Sequence, residues 1–251
     1  METFLPSLPT VSWVLLLIAS FFVGVSKTAL PGINTISIAI FAAIMPAKES
    51  TGALLVLLIV GDIFALLSYR RHADLRALVK LIPAVALGLI LGAVFLWLAD
   101  NGSVQRVIGI ILLLVVAVTM WQRYRKKDAQ PSKSSASIAR YGYGTLGGFT
   151  TMVANAGGPV MSLYFLASRF SVKTFLGTAA WFFAIVNVAK LPFSIGLGLI
   201  TPSGLALDLC LVPALIVGAF VGRAIANRIK QNVFEVVVLV LTVVGAVYLL
   251  F

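Results

Sequence analysis

The sequence predicts an all-α polytopic membrane protein made of two inverted-topology repeats, each a broken or re-entrant hairpin followed by three transmembrane helices. Three observations carry that expectation. Of the 251 residues, 61% are hydrophobic and only 11% are charged, too few charges to clothe a water-soluble domain. Apolar runs of about the length of a membrane span recur along the chain, without the alternating ten-residue segments of an outer-membrane barrel. Two polar, Gly- and Pro-containing interruptions also stand in register. A shift of 125 residues places Gly32 on Gly157, Lys48 on Lys173, Gly52 on Gly177 and Asp62 on Asn187.

Residues 11–45 open the first half. Lys27 to Gly32 divide them into apolar pieces of about 15 and 13 residues, each short of a crossing, so the segment is expected to enter and return. Runs at roughly 50–68, 81–98 and 107–121 follow as three spans. Residues 122–140 form a basic, Ser-rich linker. The second half begins at 141–169, about 29 residues or about 43 Å as a helix, too long for one untilted crossing of a core of about 30 Å. Asn155-Ala156-Gly157-Gly158-Pro159 divides it, and spans at about 174–191, 205–222 and 233–251 follow. Three is odd, so a second half built like the first enters upside down. The expected division is 1–121, linker 122–140, and 141–251. Pro83, Gly88 and Gly92 match Pro213, Gly218 and Gly222 at a shift of 130, a second register for the same repeat.

The net charge of +11 lies in short loops, as topology signals do, and its placement argues against nucleic acid. With both interrupted stretches returning, 15 basic residues fall on one side and 2, Lys48 and Arg106, on the other. A single crossing at 141–169 gives 10 against 7. The positive-inside rule then makes the linker cytoplasmic and the location the plasma, or inner, membrane. Residues 1–10 carry no basic residue before the first apolar run, so the first segment is expected to stay. The lone cysteine, Cys210, excludes an intrachain disulfide.

Interrupted segments at corresponding places in two halves are the sequence mark of a transporter's binding site. A helix that stops inside the membrane leaves unpaired N–H groups and the positive end of its dipole, which suit an oxyanion. Gly32, Gly157 and Gly158 would let a ligand approach the main chain. Asn34 and Asn155 would cap helices or donate an amide, and Ser26, Thr28, Thr150 and Thr151 would add hydroxyls. Lys27 is the candidate counter-charge. Asp62 and its counterpart Asn187 are the coupling candidates, with a structural hydrogen bond from Asp62 to the hairpin as the favoured role. Lys190, two residues before Pro192, is expected to snorkel to an interface. Asp208 is expected near the outer start of its span, favoured by a helix N-terminus. His72 is expected to be solvated. Trp181 is read as packed or lipid-facing, with the pathway as the alternative.

The stretch Gly24-x-x-Lys27-x-x-x-Pro31-Gly32, the Asn155 to Pro159 stretch and the basic linker between them resemble the sulfite exporter TauE/SafE family of membrane transporters. The resemblance covers residues 11–251. It implies movement of sulfite, sulfonates and related small organic anions, and fixes neither the substrate nor the direction.

The expected function is a secondary transporter of small sulfur-containing anions, with the anion bound at the paired breaks and alternating access between the halves. An anion channel, or a carrier of other small organic anions, is the alternative. No metal and no cofactor are called for. The chain lacks HExxH, GxSxG and a phosphate loop, so neither an intramembrane enzyme nor ATP hydrolysis is expected. The expected partners are the anion and the lipid bilayer, with a homodimer possible through Gly-rich helices.

Overall fold

The computed structural model describes residues 8–104, 133–168 and 170–230, with positions 106, 107, 110, 233, 236, 237 and 240. The expected spans at 107–121 and 233–251 therefore fall almost wholly outside the described residues, as does linker stretch 122–132. Among the described residues, regular structure is helical throughout. We number the helices α1 (Thr10–Thr28), α2 (Asn34–Ile44), α3 (Ala47–Tyr69), α4 (Leu75–Leu98), α5 (Lys133–Ala154), α6 (Gly157–Ala167), α7 (Val172–Gly196) and α8 (Pro202–Ala226). Five of them, α1, α3, α4, α7 and α8, are long and apolar enough to cross a membrane.

Local chemistry starts the helices where the sequence allows. Asp74 caps α4 by accepting from the Ala77 N–H, Ser171 caps α7 through Thr174, and Thr201 caps α8 through Gly204. Pro202 follows at the first position of α8, where its missing N–H costs nothing. Helix α1 runs straight through Ser26-Lys27-Thr28 and stops before Pro31, which opens a short 3-10 turn to Ile33.

The two interrupted stretches are less even than the sequence suggested. Helix α1 has 19 residues, about 28 Å, which is of crossing length, whereas α2 has 11, about 16 Å, and is not. Helix α2 lies back along α1, where the Ser37 hydroxyl donates to the Ala19 carbonyl at 2.8 Å. Helix α5 has 22 residues because it begins at Lys133, inside the expected linker, and α6 again has 11. The polar linker residues Lys133 to Arg140 lack Gly and Pro, so the helix has no reason to stop at the hydropathy boundary.

Helix α1 packs along α8, and α4 along α5. Small residues make both contacts close. A methyl group on Gly24 would strike the Leu215 carbonyl, and one on Gly218 the Phe21 carbonyl. In the other pair, Gly88 meets the Thr145 carbonyl and Gly148 the Val85 carbonyl. Large apolar side chains such as Leu87, Ile90, Val94 and Trp97 on α4 face outward instead. Small inside and large outside is membrane packing, where lipid solvates the large groups as well as protein would.

Helices α3 and α7 cross between these pairs and run antiparallel. Gly52, sixth in α3, abuts the Leu199 carbonyl just past the end of α7, and Gly177, sixth in α7, abuts the end of α3 at Tyr69. Asp62 and Asn187 are each sixteenth in their helices, and they meet through a hydrogen bond of 2.7 Å.

Gly218→Ala should lower stability by about 1–3 kcal/mol, because the new methyl has backbone on its far side and nowhere to move. Gly142→Ala, with nothing within 4 Å of the added carbon, should be neutral or stabilising by up to about 1 kcal/mol. Thermal melting of the two variants in one detergent checks the contrast.

Candidate functional site

The second break is built around Asn155. It has φ of 54°, and among the described residues no other non-glycine adopts a positive φ. Asparagine tolerates this left-handed conformation better than most residues, and it ends α5 here as helix caps commonly do. The Asn155 and Ala156 N–H groups turn back to the Thr151 and Thr150 carbonyls, and α6 starts two residues on at Gly157. Its first-turn N–H groups have no partners within the helix.

Asn155's side chain is held at both ends. Its Nδ2 donates to the Thr51 carbonyl on α3 at 2.8 Å, and its Oδ1 accepts from Lys190 Nζ at 2.5 Å. Lys190 also donates to the Thr151 carbonyl at 2.5 Å. The expectation of snorkelling fails for Lys190, which is 0% exposed. Pro192 does not end its helix; α7 continues to Gly196, so Lys190 lies about one turn deeper than the proline implied.

At the first break, Lys27 reaches Asp62 at 2.6 Å as a buried ion pair. Asp62's second oxygen accepts from Asn187, so α1, α3 and α7 are tied at one carboxylate. Gly61 makes room for the lysine stem: a methyl there would meet Lys27 Cγ at 2.8 Å. The ammonium also stands 5.0 Å from the centre of the Phe183 ring. The two breaks touch each other. Asn34 Nδ2 donates to the Asn155 carbonyl at 3.3 Å, and a methyl on Gly158 would stand 3.2 Å from the Pro31 carbonyl oxygen.

These groups surround one narrow cavity with an open mouth. Of the sequence candidates, Lys27, Asn34, Thr151, Asn155 and Gly158 line it, together with Asp62 and Asn187. Ser26 joins them, its hydroxyl donating to the Pro31 carbonyl at 3.2 Å. Leu58, Leu176 and Phe183, with Pro31, Ala179 and Ala180, form the apolar rest of the wall. The Oδ1 atoms of Asn34 and Asn187 are buried and, among the described residues, have no donor. Each can accept from a guest.

Thr28, Gly32 and Gly157 do not line the cavity. Thr28's hydroxyl bridges the Gly24 and Ala219 carbonyls, a contact between α1 and α8 that sequence distance conceals. Gly32's carbonyl serves Thr35, and Gly157 packs against Thr151. Thr150's hydroxyl turns inward to the Gly147 carbonyl. Asn155's amide, expected to face a ligand, is engaged by Thr51. Asp208 lies a full turn and more inside α8, 2% exposed, away from the cavity. Trp181 donates to the Arg70 carbonyl at 3.2 Å, and His72 is exposed.

Comparison with protein-family models matches residues 16–249 to the family described as sulfite exporter TauE/SafE. The chain belongs to the sulfite exporter TauE/SafE family. No curated protein and no solved structure matches it. Membership, with the five apolar helices, makes this TauE/SafE chain a multi-pass membrane transporter. The sequence reading missed Lys190 and Thr51 as parts of the second break. The signal for Lys190 was present: it follows Asn187 by three residues, hence on the same helix face.

Removing Asp62 leaves Lys27 buried without its counter-charge. Asp62→Ala should destabilise by about 3–5 kcal/mol, and adding Lys27→Met should restore most of it. Melting temperatures of both single variants and the double variant measure the coupling.

Proposed function

We propose that this protein is a secondary transporter of small sulfur-containing anions, sulfite and organosulfonates, acting at the plasma membrane with its basic linker in the cytoplasm. The observation that carries the reading is the convergence of two breaks, more than 120 residues apart in sequence, on one cavity. Irregular backbone at membrane depth is tolerated where it lines a wet cavity. Helix α6 offers its positive end and first-turn N–H groups there, through a glycine whose missing side chain gives access. Thr151 adds a hydroxyl, and Lys190 behind it adds charge.

No covalent step is part of this reading; the protein carries its ligand and does not transform it. Alternating access about the antiparallel α3–α7 contact is the proposed mechanism, with two halves of inverted topology. The matched positions of Gly52 and Gly177, and of Asp62 and Asn187, support that symmetry. Asp62, held on both oxygens, serves as a structural tie between the halves in this scheme. An inside-negative potential drives anions outward by about 2.3 kcal/mol per charge per 100 mV, which suffices for export without a coupled ion.

Purified protein in liposomes should exchange labelled sulfite across the membrane with saturation and counterflow. Gly158→Leu should reduce that exchange to the background of empty liposomes while the variant remains folded, since the side chain would fill the junction of the breaks. Absence of sulfite and sulfonate flux in the unaltered protein rejects the reading. Unsaturable ionic currents would assign a channel in its place.

A further inference from the structure

We propose that the site selects singly charged anions, and that the charge they neutralise is Lys190 rather than Lys27. The inference rests on the transport reading above and specifies its substrate class. Three charged side chains belong to the site: Lys27, Asp62 and Lys190. Among the described residues, Asp62 is the sole acidic side chain on the cavity wall. Both its oxygens are occupied, one by Lys27 at 2.6 Å and one by Asn187 at 2.7 Å. Lys27 therefore brings no free charge to a guest.

Lys190 differs. Its ammonium is entirely buried, and its partners, the Thr151 carbonyl and Asn155 Oδ1, are neutral. Among the described residues no carboxylate lies within ion-pair distance of it. With all three groups ionised, the site holds one positive charge in excess. An uncompensated charge in a dry interior is costly, and a monoanion in the adjoining cavity offsets it. A dianion would overshoot the balance and lose far more hydration on entry.

Lys190 acts from behind the wall rather than on it. It grips Asn155 and Thr151, both of which face the cavity, so it is a positioning residue as well as a source of field. Asn155's left-handed turn sets where α6 begins and where Gly158 points. Charge and geometry at the second break thus depend on one ammonium group. Neither Asp208 nor Glu49 could substitute for the missing counter-charge, because neither lines the cavity or pairs with Lys190.

The test is thermal stabilisation of the purified, detergent-solubilised protein by three probes of similar shape. Methanesulfonate carries one charge, sulfate two and dimethyl sulfone none. Stabilisation follows saturation of the folded state, so it reports affinity. The unaltered protein should bind methanesulfonate about tenfold or more tightly than sulfate, and give no shift with the sulfone. Lys190→Met should weaken methanesulfonate by about tenfold to a hundredfold, with Lys190→Arg recovering part of the loss. Equal affinity for methanesulfonate and sulfate, or for methanesulfonate and the sulfone, overturns the proposal, as does unchanged affinity in a folded Lys190→Met. If that variant does not fold, the charge series on the unaltered protein decides. No shift with either anion in the unaltered protein overturns this proposal, and the sulfite flux in liposomes then decides whether the transport reading falls with it; anion binding that survives Lys190→Met rejects only the role of Lys190.

Discussion

A carboxylate in the middle of a bilayer must be satisfied on every side, and much of this architecture follows from how Asp62 is satisfied. Lys27 supplies the counter-charge from α1, and Asn187 supplies a hydrogen bond from α7. Neither partner is on the same helix as Asp62, so three helices are fixed in position by one residue. That requirement propagates outward. Gly61 has to be small for the lysine stem to pass, and α1 has to remain helical through Lys27 for the ammonium to reach. The cavity is what remains between helices held this way.

The hydrocarbon environment shapes the rest by removing water as a hydrogen-bond partner. Buried hydroxyls are accordingly matched to carbonyls of neighbouring helices: Ser20 to Leu211, Thr28 to Ala219 and Ser37 to Ala19, at 2.8–2.9 Å. Close approach at glycine brings those carbonyls within reach. The same constraint explains why the breaks face each other. Asn34 donates to the Asn155 carbonyl across the junction, and Asn155 in turn donates to the Thr51 carbonyl of α3.

The placement of four spans was legible because hydropathy sets it: α3, α4, α7 and α8 each contain an expected run and extend beyond it. Gly52 and Gly177, matched in the sequence, each sit where a helix passes a neighbour's carbonyl, those of Leu199 and Tyr69. What escaped the sequence was direction. Nothing in the sequence says that Thr28's hydroxyl faces α8 while Ser26's faces the cavity, although the two are neighbours on one helix. Lys190 was misjudged for a different reason. Proline was taken as a helix terminus, yet α7 carries Pro192 in its interior and keeps the lysine at depth. Asn155's two partners, Thr51 and Lys190, lie 104 and 35 residues away, so its amide orientation belongs to the fold.

The glycine-lined crossings have a mechanical consequence. Helix α1, which carries the first break, is locked backbone to backbone against α8 from the far end of the chain, and α5, which carries the second, against α4. Contacts of that kind leave little side chain to repack, so each pair resists sliding and acts as a strut. In the alternating access proposed above, the pieces that move against each other would therefore mix the two sequence halves. Each strut joins a break from one half to a span from the other, much as the handles of scissors continue into opposite blades, with α3 and α7 as the rivet.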